Sequence, residues 1–322
     1  MTAFDVFNGD ADGICSLIQL RLADPKPEAI NVTGVKRDIS LLRRVSASAG
    51  DQVTVLDISL DKNRDALRQL LERGAEVHYV DHHFAGEVPE HPGLTTRINT
   101  EPNVCTSMLI NRELMGQFVN WAIAGTLGDN LASSAQILAD KASLSSDAFA
   151  KLQSLGTCIN YNAYGATIDD LHFPPEDLYQ RLMPYPDPLA FVDDDKDTFP
   201  KLSQGYADDL AKARRASRLL DLPHAAVVGL PNEPWSRRVS GVFGNELANN
   251  TPDCAHAVVT EGDDGLLVSV RAPINRRYGA DDICRQFETG GGRKAAAGIN
   301  QLPADQLDRF IQTFADYYAT RA

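Results

Sequence analysis

Asp81, His82 and His83 stand in succession, just after the apolar stretch Val77, Tyr79, Val80. Carboxylate oxygens and imidazole nitrogens are both good ligands for divalent transition metals. The spacing predicts a strand ending here, where a parallel α/β sheet opens its ligand crevice. Alone, the triplet also reads as a strand end with a satisfied imidazole. A second group lies near the start, Asn8-Gly9-Asp10-Ala11-Asp12-Gly13. Two carboxylates two residues apart can aim at one cation, and the flanking glycines permit a tight backbone. The plain alternative is a polar turn whose Asp12 caps the following helix. Asp57 closes the run Val53-Thr54-Val55-Leu56, and Asp129 follows Ala124-Gly125-Thr126-Leu127-Gly128. Each signal is weak singly. Together they are acidic or imidazole stations in order at the ends of successive elements. Such a set suits a two-metal site that activates water and stabilises attacking and leaving oxygens at phosphorus.

The elements that must carry these residues alternate. Phe4 to Phe7, Ala29 to Val35, Gln52 to Ile58 and Val77 to Val80 read as strands. Gly13 to Ala23, Asp61 to Arg73, Thr106 to Met115 and Trp121 to Leu127 read as helices, the second with Leu67, Leu70 and Leu71 at helical spacing. This order implies an α/β fold with a parallel sheet and helices on both faces. Near Pro184 to Pro188 the composition shifts to Pro, Tyr and Asp. The run Asp193 to Asp197 reads as a solvated face or helix start, or as a carboxylate cluster able to bind metal. Asp208 to Leu220 reads as a connecting helix. After Pro223 the pattern is strand-rich: Ala225 to Leu230, His256 to Thr260 and Leu266 to Arg271, the last two joined by the turn Gly262-Asp263-Asp264-Gly265. Phe310 to Tyr318 reads as a closing helix. The expected organisation is an N-terminal parallel-sheet domain over 1–188, a helical linker over 189–222 and a smaller α/β domain over 223–322.

Composition narrows the function classes. The chain has 322 residues, 43% of them hydrophobic, and a net charge of -13 with a pI near 4.9. No apolar run approaches the ~18 residues of a membrane helix, and no basic N-terminal region marks a signal peptide. The acidic balance weighs against a long-duplex binder, since phosphate neutralisation drives that affinity. It favours a short phosphorylated substrate held in a local basic pocket. Cys15, Cys105, Cys158, Cys254 and Cys284 are odd in number and scattered, without a CxxC pair. That pattern fits reduced thiols in a cytoplasmic protein, not a disulfide frame or a zinc site.

The ordered set Asp10-Ala11-Asp12-Gly13, strand-end Asp57, Asp81-His82-His83 and Gly125-x-x-x-Asp129 resembles the DHH phosphoesterase superfamily. That family includes RecJ-like single-strand exonucleases, nano-RNases, cyclic-dinucleotide phosphodiesterases, manganese pyrophosphatases and exopolyphosphatases. Ser269-Val270-Arg271-Ala272 and the stretch Gly290-Gly291-Gly292-Arg293-Lys294-Ala295-Ala296-Ala297-Gly298 resemble its DHH-associated substrate-binding domain. The resemblance thus covers nearly the whole chain. It implies that Asp10, Asp12, Asp57, His82 and Asp129 ligate two divalent ions, with manganese the family's metal and Asp57 the bridge. It implies that Asp81 ligates or orients, and that His83 faces the scissile phosphate or leaving group.

The sequence departs from the family twice. Asn8 stands where many members carry His or Asp, and its neutral amide is a weaker ligand. The glycine motif ends in Arg293-Lys294 where the family has His, which keeps phosphate binding but loses a base-reading or titratable group. Successive amides at Gly290, Gly291 and Gly292 can form an anion-binding nest, with Arg271, Arg276 and Arg277 close in sequence. Arg237-Arg238 either joins that pocket or forms a surface turn. Asn160 to Gly165 either stacks a base or is structural. His172 either ligates metal or lies at a surface. The implied activity is metal-dependent hydrolysis of short single-stranded oligonucleotides or linear dinucleotides to nucleoside monophosphates, as in the nano-RNase branch. Polyphosphate or phosphoanhydride hydrolysis is one alternative, and a catalytically weak nucleotide-binding sensor another. A homodimer is compatible with the sequence.

Overall fold

A five-stranded, all-parallel sheet organises the first half of the protein, in the computed structural model, which describes residues 1–319. In chain order its strands and helices are β1 (Ala3–Phe7), α1 (Ala11–Ala23), β2 (Ile30–Val32), β3 (Gln52–Leu56), α2 (Leu60–Glu72), β4 (Glu76–Asp81), β5 (Leu94–Ile98), α3 (Thr106–Glu113), α4 (Val119–Gly128), α5 (Ala132–Lys141), α6 (Ser146–Ala163), α7 (Pro175–Leu182) and α8 (Pro188–Asp194). The strand order is β2-β1-β3-β4-β5. Side chains alternate along each strand. Phe4, Val6, Val53, Val55, Val77 and Tyr79 therefore share one face, in a core with Leu60, Leu67, Leu70 and Leu71. The other face carries Asp5 and Thr54, which α1 covers with Arg21.

The chain divides into two units, Met1–Gln204 and Gly205–Ala322, with the boundary inside α9 (Thr198–Ala213). The second unit continues with β6 (Ser217–Asp221), β7 (Ala225–Leu230), α10 (Pro234–Asn250), β8 (Ala255–Gly262), β9 (Gly265–Arg271), α11 (Ala280–Cys284), β10 (Gly290–Gly292), β11 (Ala296–Leu302) and α12 (Leu307–Ala319). Its six-stranded sheet runs β10-β11-β9-β8-β7-β6. Pairings are antiparallel except for β7 with β8. The hairpin from Gly262 to Gly265 is present as the sequence indicates.

Several stretches of the fold differ from the sequence reading. β2 is only three residues long, because the chain leaves the sheet before Gly34. β5 was not anticipated: Leu94-Thr95-Thr96-Arg97-Ile98 is an edge strand with no apolar run. The stretch 189–222 is not a free-standing helical linker. Phe191 of α8 is buried and Leu189 packs on the α4–α5 core, whereas Ser217–Asp221 is the strand that pairs with β7. No helix among the described residues is long and apolar enough to cross a membrane.

Candidate metal centre

The C-terminal ends of β1, β3 and β4 open onto the residues singled out by the sequence. Just past β1, the Asp10 carboxylate accepts from the Gly13 N–H at 3.1 Å and caps α1. Asp10, not Asp12, is thus the cap. The glycines there are needed for space and not for an unusual backbone. A Cβ on Gly9 would lie 2.1 Å from the Gly34 carbonyl oxygen, and one on Gly13 would lie 2.2 Å from that of Asn8. Asp12 is released to point across the fold. Its two oxygens each accept a backbone N–H at 2.7 Å, from Thr106 and Ser107. These are first-turn amides of α3, which have no partner within their own helix.

Asp57 follows β3 with φ 59°. An aspartate in this left-handed region costs on the order of 1–2 kcal/mol relative to ordinary backbone, and its N–H is held by the Val80 carbonyl at 3.1 Å. Strain at a buried carboxylate is a mark of a functional position. Asp129 ends α4. The glycines before it let that helix end approach its neighbours: a Cβ on Gly125 would meet Ser107 Oγ at 2.2 Å, and one on Gly128 would meet Ala11 Cβ at 2.3 Å.

His82 sits at the centre. Its Nδ1 lies 2.9 Å from the Val104 carbonyl. A carbonyl can only accept, so the proton belongs on Nδ1 and the Nε2 lone pair faces inward. Nε2 there meets Asp57 Oδ1 at 3.3 Å, Asp129 Oδ2 at 3.5 Å and Asp12 Oδ2 at 3.8 Å. His83, one-third exposed, bonds through Nδ1 to Asp81 Oδ1 at 2.8 Å. Asp81 is fully buried, and its Oδ2 has no hydrogen-bond partner among the described residues.

The electrostatics follow from burial. Loss of water, then repulsion by Asp129 and Asp10, pushes Asp12 up to about 6. The same two effects, with burial again the larger, hold Asp57 well above the usual carboxylate range. Burial would raise Asp81 as well, but the His83 and His82 imidazoles outweigh it and leave Asp81 below its ordinary value. Two overlapping ligand triads result: Asp57, His82 and His83, and Asp12, His82 and Asp129. Hard carboxylate oxygens, an inward imidazole lone pair fixed by a carbonyl behind it, and surplus negative charge together fit a divalent ion.

Lys36 was absent from the sequence-derived set and lies in this cluster. Its ammonium pairs with Asp10 Oδ2, approaches Asp129 Oδ1 at 3.7 Å and donates to Asn160 Oδ1 at 3.1 Å. Burial alone would lower this lysine; Asp10 and Asp129 more than reverse that. Asn8 serves it. The Asn8 amide donates to the Lys36 carbonyl at 3.3 Å and accepts from the Asp10 N–H at 3.3 Å. The structure thus uses Asn8, expected as a ligand, to tie the Lys36 loop to the turn after β1. The one sequence signal for Lys36 was its place after a strand end; Lys36-Arg37-Asp38 otherwise reads as a solvated loop.

No protein-family model and no curated protein sequence matches the chain. Solved structures do. The DHH domain of a member of the S1p family of ribosomal proteins superposes with a TM-score of 0.66 at 13% identity, covering 98% of this chain and 86% of that one. Exonuclease RecJ bound to manganese gives 0.61 at 18%, covering 99% and 90%. The pGpG-specific phosphodiesterase PggH from Vibrio cholerae gives 0.58 at 13%, covering 100% of both. The chain has the DHH fold.

In the second unit of this DHH fold the expected substrate residues are arranged differently from a loose glycine loop. Gly290, Gly291 and Gly292 form the edge strand β10, paired with Ile299, Gly298 and Ala297. A Cβ on Gly290 would lie 1.7 Å from the Cys284 carbonyl oxygen, so close packing on α11 demands glycine there. Gly292 has φ 139°, and the chain then turns tightly, Arg293 and Ala296 exchanging backbone hydrogen bonds at 2.8 and 3.2 Å. Arg293 and Lys294 are exposed at this hairpin tip. Arg271 pairs with Ala296 across the sheet, but its guanidinium is engaged by Asn245 Oδ1 at 2.6 Å and by the Val270 and Gly241 carbonyls.

Several of the ambiguous residues are engaged within the fold. Arg237 and Arg238 lie on α10, not in a turn, and Arg238 grips Asp209 through Nε and Nη2 at 3.0 and 2.8 Å. Tyr161 is buried and bonds His172 Nε2 at 2.8 Å, so neither belongs to the metal cluster. Asp195 accepts from the Phe199 N–H at 2.7 Å, at the start of α9.

Proposed function

We propose that this protein is a divalent-metal-dependent phosphoesterase. In this reading it cleaves short single-stranded oligonucleotides or linear dinucleotides to nucleoside monophosphates. One observation carries it: the His82 Nε2 lone pair, fixed from behind by Val104, faces three buried carboxylates at 3.3 to 3.8 Å. That arrangement is repulsive without a cation and favourable with one. Asp12, Asp57, His82 and Asp129 would hold a first ion, and Asp10 with Asp129 a second, so that Asp129 and not the expected Asp57 would be the shared carboxylate, with manganese the expected metal. A divalent ion at such a site polarises phosphoryl oxygens and lowers the pKa of water.

The remaining steps fall to side chains. With its Nδ1–H given to Asp81, His83 is left with Nε2, through which the protonated ring would donate to a phosphoryl or leaving-group oxygen. Asp81 holds that ring in one orientation. Arg293 and Lys294 supply cations for distal phosphates, Arg through its two-pronged fork, and Arg271 and Gly290 to Gly292 shape the hairpin that presents them. The chain is acidic overall, so attraction of a polyanion is confined to such local groups.

A phosphoanhydride substrate is the second reading, favoured by the Arg293-Lys294 tip, which offers charge without an aromatic or titratable base reader. A weakly catalytic nucleotide sensor is a third, prompted by Asn8. The test is product release from a dinucleotide, a five-nucleotide RNA, a cyclic dinucleotide, long single-stranded DNA, pyrophosphate and polyphosphate, with manganese and with chelator. The expected result is metal-dependent nucleoside monophosphate from the two short oligomers. Orthophosphate from polyphosphate alone would replace that reading with the second. Nucleotide binding without turnover would replace it with the third.

A further inference from the structure

Three oxygens converge on the Lys36 ammonium: Asp10 Oδ2, Asp129 Oδ1 at 3.7 Å and Asn160 Oδ1 at 3.1 Å. Two carboxylates and an amide carbonyl are the ligand types that hard divalent ions take. Asp129 is shared. Its Oδ1 faces Lys36, and its Oδ2 faces His82 Nε2 at 3.5 Å. A single carboxylate therefore separates the triad Asp12, His82 and Asp129 from the position the ammonium fills. The protein has two adjoining cation positions, and one is furnished with a cation of its own.

Resting on the metal-dependent reading above, we propose that Lys36 is a built-in competitor for the second divalent ion. The ammonium occupies the oxygen cage of Asp10, Asp129 and Asn160, and the second ion enters only by displacing it. The surrounding residues support such a device. The loop is tied by Asn8 to the Lys36 carbonyl and by the Lys36 N–H to the Ala163 carbonyl at 2.9 Å, so the backbone stays while the side chain can leave. The Tyr164 ring, 5.3 Å from Nζ, adds a cation–π contact to the resting position. The side chain is 23% exposed, so Lys36 is not sealed in the core. The first position is ringed by Asp12, Asp57 and His82 and meets the Asp129 oxygen that does not face Lys36. The two ions should therefore bind with separate affinities, although both positions are rich in carboxylate. A neutral Asn8 belongs with this arrangement, since a carboxylate there would add a further ligand for the second ion.

The test is a manganese titration of the metal-free full-length protein by calorimetry, with spin–spin coupling between bound ions read by electron paramagnetic resonance. The wild type should bind one ion tightly and a second at least tenfold more weakly. Lys36→Met should tighten the second ion tenfold or more, leave the first within twofold, and show the coupled signal at lower manganese. Lys36→Arg, which keeps a cation, should retain the wild-type pattern. Tyr164→Leu removes the cation–π contact to the ammonium without touching an oxygen of the cage and should shift the second affinity in the Lys36→Met direction; it also serves if Lys36→Met does not fold. Two equally tight ions in the wild type, or an unchanged second affinity in both Lys36→Met and Tyr164→Leu, would overturn the proposal while leaving the metal-dependent reading intact. No ion bound by any of the proteins at millimolar manganese would overturn both.

Discussion

Two buried charge clusters lie at the two ends of α1, and they are built on opposite terms. In the middle of β1, Asp5 meets Arg21, each under 5% exposed, and the guanidinium fork takes both carboxylate oxygens at 2.7 and 2.5 Å while also reaching Thr54 Oγ1 at 3.0 Å. One negative charge meets one positive charge, and the hydrogen bonds are nearly complete. Just past the end of β1, the carboxylates of Asp12, Asp57 and Asp129 crowd around His82, and Asp10 joins Asp129 at the Lys36 ammonium. The first cluster closes on itself. The second holds a negative surplus that burial and mutual repulsion make costly, as the raised Asp12 and Asp57 show. Burial alone thus does not distinguish a structural charge from a functional one; the balance of charge within the cluster does.

The sharpest way to break this comparison is to neutralise one group in each cluster. Asp57→Asn removes a repelling charge and an ion ligand together. Turnover should fall by about a thousandfold, equivalent to ~4 kcal/mol of barrier, whereas the Tm of the metal-free protein should hold or rise, because functional sites commonly cost stability. A large drop in the metal-free Tm would mean that the surplus is structural. Arg21→Met leaves Asp5 buried and unpaired. It should cost about 3–5 kcal/mol in denaturant unfolding, and the paired change Asp5→Leu with Arg21→Met should recover most of it. If Arg21→Met is neutral, the Asp5–Arg21 cluster is not the closed one described.

His256 shows a third arrangement, a buried group kept neutral. Burial, with Arg218 nearby, brings its imidazole down to about 4, and Thr251 Oγ1 sits 2.6 Å from Nε2. An unfolded histidine titrates near 6.5. Between these values the unfolded chain binds a proton that the native protein does not. Stability should therefore fall as the pH drops from about 6.5 to about 4, then level off for this group. Denaturant midpoints across that range should slope in the wild type and flatten in His256→Gln; equal slopes would return the imidazole to an ordinary, solvated state. The smallest effect belongs to an exposed charge. Arg293→Ala should raise KM for the short oligomers by about tenfold or less with kcat held, as for uniform substrate binding, and should leave the Tm unchanged. An unchanged KM would remove the hairpin tip from substrate binding.

The residues themselves made much of the first unit legible. Val53 to Leu56 and Val77 to Val80 are apolar runs of strand length that end in aspartate, and Leu67, Leu70 and Leu71 mark the buried stripe of α2. Asp10, Asp12, Asp57, His82 and Asp129 could be gathered in order because a parallel sheet places its strand ends together. β5 escaped because an edge strand of Thr and Arg carries no apolar signature, and α10 because Pro234 and the Arg237-Arg238 pair look like a turn until a helix begins at that proline.

The sequence by itself determined which chemistry the protein can hold: local pattern fixes the strands, and strand ends in parallel register collect their ligands. What only the tertiary structure decided is how that charge is shared. Lys36 reaches Asp10 and Asp129 across 26 and 93 positions of chain, and Asn160 of α6 meets it across 124. The Asp12 carboxylate is held by α3 amides more than ninety residues away. Such partners are set by which helix ends pack against one another, and in the sequence a lysine in a polar loop is indistinguishable from one that faces water.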